Sequence, residues 1–281
     1  MESGNSVLRH GWFQPGYDTW AFETLDAGVS IGSGVATVVF GDQHHVFNAG
    51  TDTGQSALRH GWFDPTVGTW QFETVDFGKS DSTSPGSGVI YDDQLHVFAS
   101  APTGDVFPGR ELRHGRRDSV SGIWAFETLD PYEENSGCEN SGLGSAIVGS
   151  DGNLNWFGER LCNNILGIPN QIPELRHAWY DAAGWHYETL NRYDDSPSIP
   201  STSSFHGNSE VFGRSAELFP CGHHGGCLGH MWWDGAWHVD YPDLDTAGVN
   251  PVSTSTYPTF DQLHAFFAGG SGLRHVWYQP T

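Results

Sequence analysis

The chain has 281 residues, of which 14% are aromatic and 16% are charged, with 37 Gly and 15 Pro. Its formal net charge of -22 repels phosphate backbones and anionic lipid headgroups, so nucleic acid and membranes are not expected partners, whereas neutral or cationic ligands suit it. No stretch approaches the roughly 20 apolar residues of a membrane span, and no basic, apolar-cored leader opens the chain, so we expect a secretory signal to be absent or removed.

The clearest predicted element is a pair of alternating strands at residues 57–63 and 69–75, separated by a short polar turn. This pattern predicts a β-hairpin. The first strand carries Leu-Arg-His-Gly-Trp, and variants of that phrase recur about every 50 residues. The histidines of the phrase are His10, His60, His114, His177, His230 and His275. Such a period with four short strands per unit predicts a β-propeller, since one blade cannot bury both of its faces alone.

In chain order, an outer hairpin within residues 1–26 precedes the repeated units. The repeats lie at about 27–76, 77–130, 131–190, 191–240 and 241–281. The last repeat has three strands, so residues 20–25 are predicted to supply its fourth and close the ring. We therefore expect residues 1–281 to form a single all-β domain, a five-bladed β-propeller of four-stranded antiparallel blades, with six blades as the alternative.

One copy of the Leu-Arg-His strand is surplus to a closed ring of five blades. It is expected to pair at an edge, to join a second chain in a homodimer, or to mark the chain as a piece of a longer array. The first strands of the repeats are rich in small residues, which suits crowding around a propeller axis.

The Leu-Arg-His strand offers the first candidate site. Alternation places Leu58, His60 and Trp62 on one face and Arg59 on the other. In one interpretation the tryptophan stacks on a sugar ring while Arg or His bonds its hydroxyl groups. In the other, these residues pack blade against blade, with His bonded to a neighbouring backbone. The candidate ligand-binding residues are Trp12, Trp62, Trp179, Trp232, Trp277, Arg9, Arg59, Arg176 and Arg274.

Other repeated polar positions have simpler explanations. The second strand carries His45, His96 and His264, which suggests a metal, but Asn155 and Glu210 replace them elsewhere, so no metal or cofactor is expected. Aspartates before that strand are predicted turn residues; these are Asp42, Asp92, Asp93, Asp151 and Asp261. Glutamates of the fourth strand are expected to face solvent, and no pair of them stands out for glycoside hydrolysis; these are Glu23, Glu73, Glu127 and Glu188.

The four cysteines form two local pairs. Cys138 and Cys162 flank the first hairpin of one repeat, while Cys221 and Cys227 bracket a glycine-rich loop. Two disulfides and an oxidising, extracellular compartment are the favoured interpretation, with free thiols in the cytosol or a zinc site at the loop as alternatives. The loop also carries His223 and His224, which are the candidate catalytic bases if the protein is an enzyme.

The order of strand motifs resembles that of the tachylectin-like and bacterial fucose-binding propeller lectins. The shared motifs are Leu-His-Val-Phe, Leu-Arg-His-x-Trp and Trp-x-Phe-Glu-Thr-Leu, across residues 7–278. The resemblance implies sugar pockets in or between blades, lined by the tryptophans and arginines named above. Arg116 in place of Trp and Gly229 in place of Arg depart from the motif and imply unequal sites.

Three functions are compatible with these features. The first is a secreted, multivalent lectin that recognises neutral glycans by tryptophan stacking and Arg or His hydrogen bonds. The second is a lyase or cyclase with one active site at the mouth of the central channel, beneath the inserted loops. A structural or adhesive module is the third.

Overall fold

A computed structural model describes most of the chain. The described residues are 7–26, 34–53, 55–77, 84–102, 110–130, 138–163, 171–192, 198–215, 227–243, 252–257, 259–269 and 272–279. They form antiparallel β-strands joined by turns, and no helix occurs among them. None of the described residues therefore belongs to a helix long and apolar enough to cross a membrane. The chain divides into two compact units, Met1–Thr128 and Leu129–Thr281.

The first unit contains a two-stranded hairpin and two four-stranded sheets. The hairpin consists of β1 (Leu8–Gln14) and β2 (Thr19–Asp26). The next sheet consists of β3 (Val35–Phe40), β4 (Gln43–Asp52), β5 (Gln55–Asp64) and β6 (Thr69–Phe77), in that order. The last consists of β7 (Ser84–Tyr91), β8 (Gln94–Pro102), β9 (Arg110–Arg117) and β10 (Trp124–Asp130). Strands adjacent in sequence are thus adjacent in the sheet.

The second unit contains two four-stranded sheets and a sheet whose described part has three strands. The first consists of β11 (Cys138–Val148), β12 (Leu154–Asn163), β13 (Gln171–Asp181) and β14 (Gly184–Arg192). The next consists of β15 (Ser198–Phe205), β16 (Asn208–Ser215), β17 (Cys227–Trp233) and β18 (Trp237–Asp243). The last consists of β19 (Val252–Tyr257), β20 (Gln262–Gly269) and β21 (Gly272–Tyr278). The predicted four-stranded antiparallel repeat is confirmed.

Short turns with positive φ join the first two strands of several sheets. Gly41 and Asp42 have φ of 57° and 61°, and Asp92 and Asp93 have 49° and 54°. Two consecutive left-handed residues are what a type I′ hairpin requires, and Gly and Asp tolerate that conformation. The prediction that these aspartates are turn residues is confirmed.

Neighbouring sheets within each unit share apolar cores. In the first unit the buried cluster joins β3–β5 to β8; its members are Ala36, Phe47, Leu58, Leu95, Val97 and Ala99. In the second unit one cluster joins β12 and β13 to β16 and β17; its members are Phe157, Leu175, Val211 and Met231. Another lies between the last two sheets; its members are Phe205, Phe212, Leu228, Leu263, Ala265 and Phe267. A sheet on its own would leave this apolar face exposed to water, so packing against its neighbour stabilises it.

The first two strands form the hairpin expected within residues 1–26, with β2 paired to β1 along Thr19–Asp26. Closure of the ring by residues 20–25 stays a prediction. In the described part of the last sheet, β21 pairs with β20 alone. The hairpin sequence supplies both alternating strands and the turn between them, so β2 finds a partner locally without any long loop closure. The number of blades and the homodimer at an edge strand stay predictions.

Candidate functional site

A repeated row of polar side chains crosses each sheet. In β4–β6, the register places Phe47 opposite His60 and His60 opposite Glu73. His60 Nδ1 lies 2.9 Å from Glu73 Oε1, and His60 Nε2 lies 2.9 Å from His45 Nδ1. The Trp124 indole N–H of the next sheet donates to the same Glu73 oxygen at 3.0 Å. The row therefore joins three strands and the neighbouring sheet.

Equivalent rows occur in other sheets. His114 bonds Glu127 and His96 in the second full sheet. In the third, His177 bonds Glu188 and Asn155, and the hairpin has only the His10–Glu23 bond. Each of these glutamates keeps 37–53% of its side chain exposed, as expected, while it bonds the histidine opposite it in the strand register. The histidine bonds named here are made with side chains of the same sheet, in place of the neighbouring backbone that one interpretation expected. Within the described residues, no group of three or more His, Cys, Asp or Glu side chains is arranged to hold a metal.

Burial favours the neutral form of four histidines of the first unit, His45, His60, His96 and His114, because it lowers their pKa. Burial, followed by the charge of His60, lowers the pKa of His45 from 6.5 to about 4. Burial also lowers the pKa of His60, although its bond with Glu73 opposes the change. A neutral His60 can donate from Nδ1 to Glu73 and accept at Nε2 from His45, so both contacts are satisfied without a positive charge.

The arginines of the third strand pair with aspartates at the end of fourth strands. Arg59 Nε lies 3.1 Å from Asp26 Oδ2, and Arg113 Nε lies 3.1 Å from Asp76 Oδ2, so in the first unit the pair joins neighbouring sheets. Two further pairs of this kind are Arg176–Asp130 at 3.5 Å and Arg274–Asp243 at 2.6 Å. Arg9 instead lies over the Phe22 ring, 5.5 Å from its centroid. This packing explains the recurrence of arginine without a ligand.

The five candidate tryptophans each stack on the histidine two residues before them. The ring centroids are 5.0–5.4 Å apart; the pairs are His10–Trp12, His60–Trp62, His177–Trp179, His230–Trp232 and His275–Trp277. Trp62, Trp179 and Trp232 are half-buried. Trp277 is 62% exposed, more than Trp12 at 36%. The open indole of Trp277 is therefore the best placed of the five to stack on a ligand.

The sheet β15–β18 departs from the common row. Glu210 takes the second-strand position, and Asp240 takes the place of the fourth-strand glutamate. His230 Nε2 lies 2.7 Å from Glu210 Oε2, and its Nδ1 lies 3.0 Å from Asp240 Oδ1. Carboxylates only accept hydrogen bonds, so both ring nitrogens must donate and His230 is an imidazolium.

The pKa of His230 agrees with this geometry. Burial alone would lower it, but the bonds with Asp240 and Glu210 and their negative charges outweigh burial, so the pKa is raised above 6.5. Glu210 is itself buried, with 6% of its side chain exposed, whereas 55% of the Asp240 side chain is exposed. Two carboxylates and one imidazolium leave this cluster with one net negative charge.

The cluster lines a cavity of about 360 Å³ between β15–β18 and β19–β21. We call it the acidic cleft; the lining residues used below are Glu210, His230, Trp232, Asp240, Trp277 and Tyr278. Its volume lies within the range of about 300 to 1,000 Å³ that is usual for small-molecule sites. Of the sequence candidates, it brings together Trp232 and Trp277.

Two further cavities occupy comparable positions between sheets. One of about 270 Å³ is lined by residues including Asn155, His177 and Trp179, but Trp237 of the next sheet fills part of it and bonds Glu188. The other, of about 390 Å³ in the first unit, is lined largely by aliphatic residues such as Val38 and Val39. The smaller cavity also contains a tryptophan and a carboxylate, but Trp233 is 40% exposed and the Glu188 side chain 41%, against 62% for Trp277 and 55% for the Asp240 side chain in the acidic cleft.

The remaining candidates lie elsewhere. Cys138 and Cys162 form the predicted disulfide across β11 and β12. Cys227 is also disulfide-bonded. The predicted bases His223 and His224 and the predicted partner Cys221 lie outside the described residues. From the sequence, Glu210 is interpreted as a tolerated substitution, and Asp240 is not among the candidate site residues. The signal that marks both is their departure from His and Glu at equivalent repeat positions.

No family model and no curated protein matches the sequence. Among solved structures, the chain is similar to a protein of unknown function from Dyadobacter fermentans DSM 18053, with a TM-score of 0.61, 13% identity and coverage of 91% of this chain and 80% of that one. It is also similar to a thermostable family-43 glycoside hydrolase, with a TM-score of 0.52, 10% identity and 90% coverage of both chains.

An endo-arabinase from Bacteroides thetaiotaomicron VPI-5482 is similar at a TM-score of 0.52 and 11% identity, with coverage of 88% of this chain and 93% of that one. At these identities the likeness extends to the fold. Together with the four-stranded antiparallel sheets, it confirms the predicted all-β propeller fold, while the resemblance to tachylectin-like lectins in particular stays a prediction.

Proposed function

We propose that the protein is a non-catalytic carbohydrate-binding propeller whose principal site is the acidic cleft. The observation that carries the proposal is that the exposed Trp277 indole and the carboxylate of Asp240 line the same cavity, which has the size of a small-molecule site. An aromatic face packs against the C–H groups of a sugar ring, and a carboxylate accepts hydrogen bonds from its hydroxyl groups.

Catalysis by this carboxylate pair is disfavoured by what lies between the two groups. Glycosidases place the sugar and water between carboxylates about 5 to 9.5 Å apart. Here the His230 ring occupies the space between Glu210 and Asp240 and bonds both. The alternative of an enzyme is supported by two structural neighbours, which are a glycoside hydrolase and an endo-arabinase. The lyase or cyclase hypothesis depends on His223 and His224, which lie outside the described residues.

The second-unit clefts are unequal, so we expect one dominant site and no uniform multivalency. The Cys138–Cys162 disulfide supports an oxidising compartment, and we propose an extracellular location on that basis.

A glycan array followed by calorimetry with the full chain tests the proposed function. Trp277→Ala should weaken sugar binding at least about tenfold, since tryptophans at the centre of a binding site are often worth about 2 kcal/mol or more. Trp20→Ala is the matched control, because Trp20 is 60% exposed and does not line the acidic cleft. Equal loss in both variants, no binding to any glycan, or release of product from a bound glycan would each overturn the proposal.

A further inference from the structure

A tryptophan of the fourth strand caps the histidine–carboxylate bond of the preceding sheet at three places. The indole N–H of Trp70 donates to Glu23 at 3.1 Å, that of Trp124 to Glu73 at 3.0 Å, and that of Trp237 to Glu188 at 3.3 Å. Each indole also contacts the paired histidine edge to face, with centroids 5.3–5.5 Å apart. The capping group is therefore a ring that carries an N–H donor.

The acidic cleft has the same histidine–carboxylate bond, but no described tryptophan caps it. The described part of sheet β19–β21 has no fourth strand, which is the strand that carries the cap elsewhere. Asp240 is consequently 55% exposed on its side chain. Trp277 and Tyr278 line the same cavity as Asp240, and both are exposed. The cleft is thus open at the position where the other rows hold a ring.

Charge favours a cation at this position. His230 balances only one of the two carboxylates that it contacts, and the guanidinium of Arg274, the third-strand arginine of β21, is already paired with Asp243. The formal net charge of the chain is -22, which raises the local concentration of cations and lowers that of anions. A protonated amine near the Trp277 face would also gain a cation–π contact.

We propose that the acidic cleft selects sugars that carry a protonated amine, that is, hexosamines with a free amino group. The sugar ring lies where an indole lies in the other rows, the ammonium group donates to Asp240, and Trp277 covers one side of the ring. This inference rests on the proposed function, because it names the class of sugar for the same site. It gives the carboxylate the N–H donor that its counterparts Glu23, Glu73 and Glu188 obtain from tryptophan.

Calorimetric titration of the full chain with glucosamine, N-acetylglucosamine and glucose tests the inference. Glucosamine should bind about tenfold or more tightly than the other two, because a charge-assisted hydrogen bond is worth more than a neutral one. The preference should shrink at high salt. Asp240→Asn should abolish the preference, so that glucosamine binds this variant no more tightly than glucose does. Asp234→Asn is the matched control, since it removes the same charge from an aspartate of the same sheet that is 49% exposed and lies outside the cleft.

The outcomes separate the two proposals. Equal binding of the three sugars would overturn the inference and leave the carbohydrate-binding function standing. A preference for glucosamine that survives Asp240→Asn, or that Asp234→Asn also removes, would overturn the assignment of the amine to Asp240. If no sugar binds at all, both the function and the inference fail.

Discussion

His60 and His230 occupy the same position in their sheets, but His60 is neutral and His230 is positively charged. Both lie opposite a phenylalanine on one strand and a carboxylate on the other. His60 has a histidine as its second partner and a lowered pKa, while His230 has the buried Glu210 and a raised pKa. One residue of the second strand therefore decides whether the row is neutral or charged.

The two rows also differ in access. Trp124 covers the His60–Glu73 bond, whereas the described residues provide no such cover at His230–Asp240. The same backbone register thus produces a tryptophan-covered contact between sheets in one place and an open, charged cleft in another. The candidate site differs from the common row by two substitutions, Glu210 and Asp240, and by the lack of a capping tryptophan among the described residues.

The largest expected effect comes from removing the imidazolium. His230→Ala leaves Glu210 buried without a cation, and we expect the free energy of unfolding at pH 7 to fall by about 3 to 5 kcal/mol, measured by urea titration. The double variant with Glu210→Gln should recover much of that loss. His60→Ala is the comparison, and adding Glu73→Gln to it should not restore stability, since Glu73 keeps the Trp124 donor and is 37% exposed on its side chain. Failure of Glu210→Gln to rescue would contradict the charged row.

Acidification should change the stability of the two rows in opposite directions. His45 and His96 have pKa values near 4 in the fold against 6.5, so their contribution is present above pH 6.5 and is lost as the pH falls towards 4. Between pH 7 and 5 we expect each to cost about 1 to 2 kcal/mol. His230 has a raised pKa, so its contribution is complete below pH 6.5 and is lost as the pH rises through the folded value.

Hydrogen exchange, corrected for the intrinsic pH dependence of exchange, measures this difference strand by strand. Protection of β4, β5, β8 and β9 should fall at pH 5, while that of β16 and β17 should hold or rise. A His45→Gln variant should lose less protection in β4 and β5 on acidification. Uniform loss across both units would contradict the opposite signs.

The smallest expected effect is an exchange of the two environments. Glu210→His gives His230 the second-strand partner that His60 has, and we expect the pKa of His230 to fall by at least about one unit, which corresponds to 1.4 kcal/mol. His45→Glu should raise the pKa of His60 in the same way. Titration of labelled histidine side chains by nuclear magnetic resonance reads both values directly. An unchanged His230 would show that Asp240 alone sets its charge.

Much of the fold is readable from local pattern. Alternation around His60 predicts the strand, the Asp42 and Asp92–Asp93 turns predict the hairpins, and the spacing of the histidines predicts the repeated sheet. These features depend on neighbours within a few residues. The Arg–Asp pairs also have a sequence signal, which the pattern of a single strand does not show. The repeat with Gly229 in place of Arg has Asn191 in place of the preceding Asp, so both partners of the pair are replaced together.

The sequence by itself determined the strands, their order and the turn chemistry, since each is governed by contacts between residues close in the chain. Tertiary structure decided which fourth-strand carboxylates a tryptophan caps, and that His230 lies charged between Glu210 and Asp240 in an open cleft. Those outcomes depend on burial and on partners many residues away. The alternating pattern of a strand is the same whether a polar residue faces water or another sheet, so the sequence pattern does not distinguish the two.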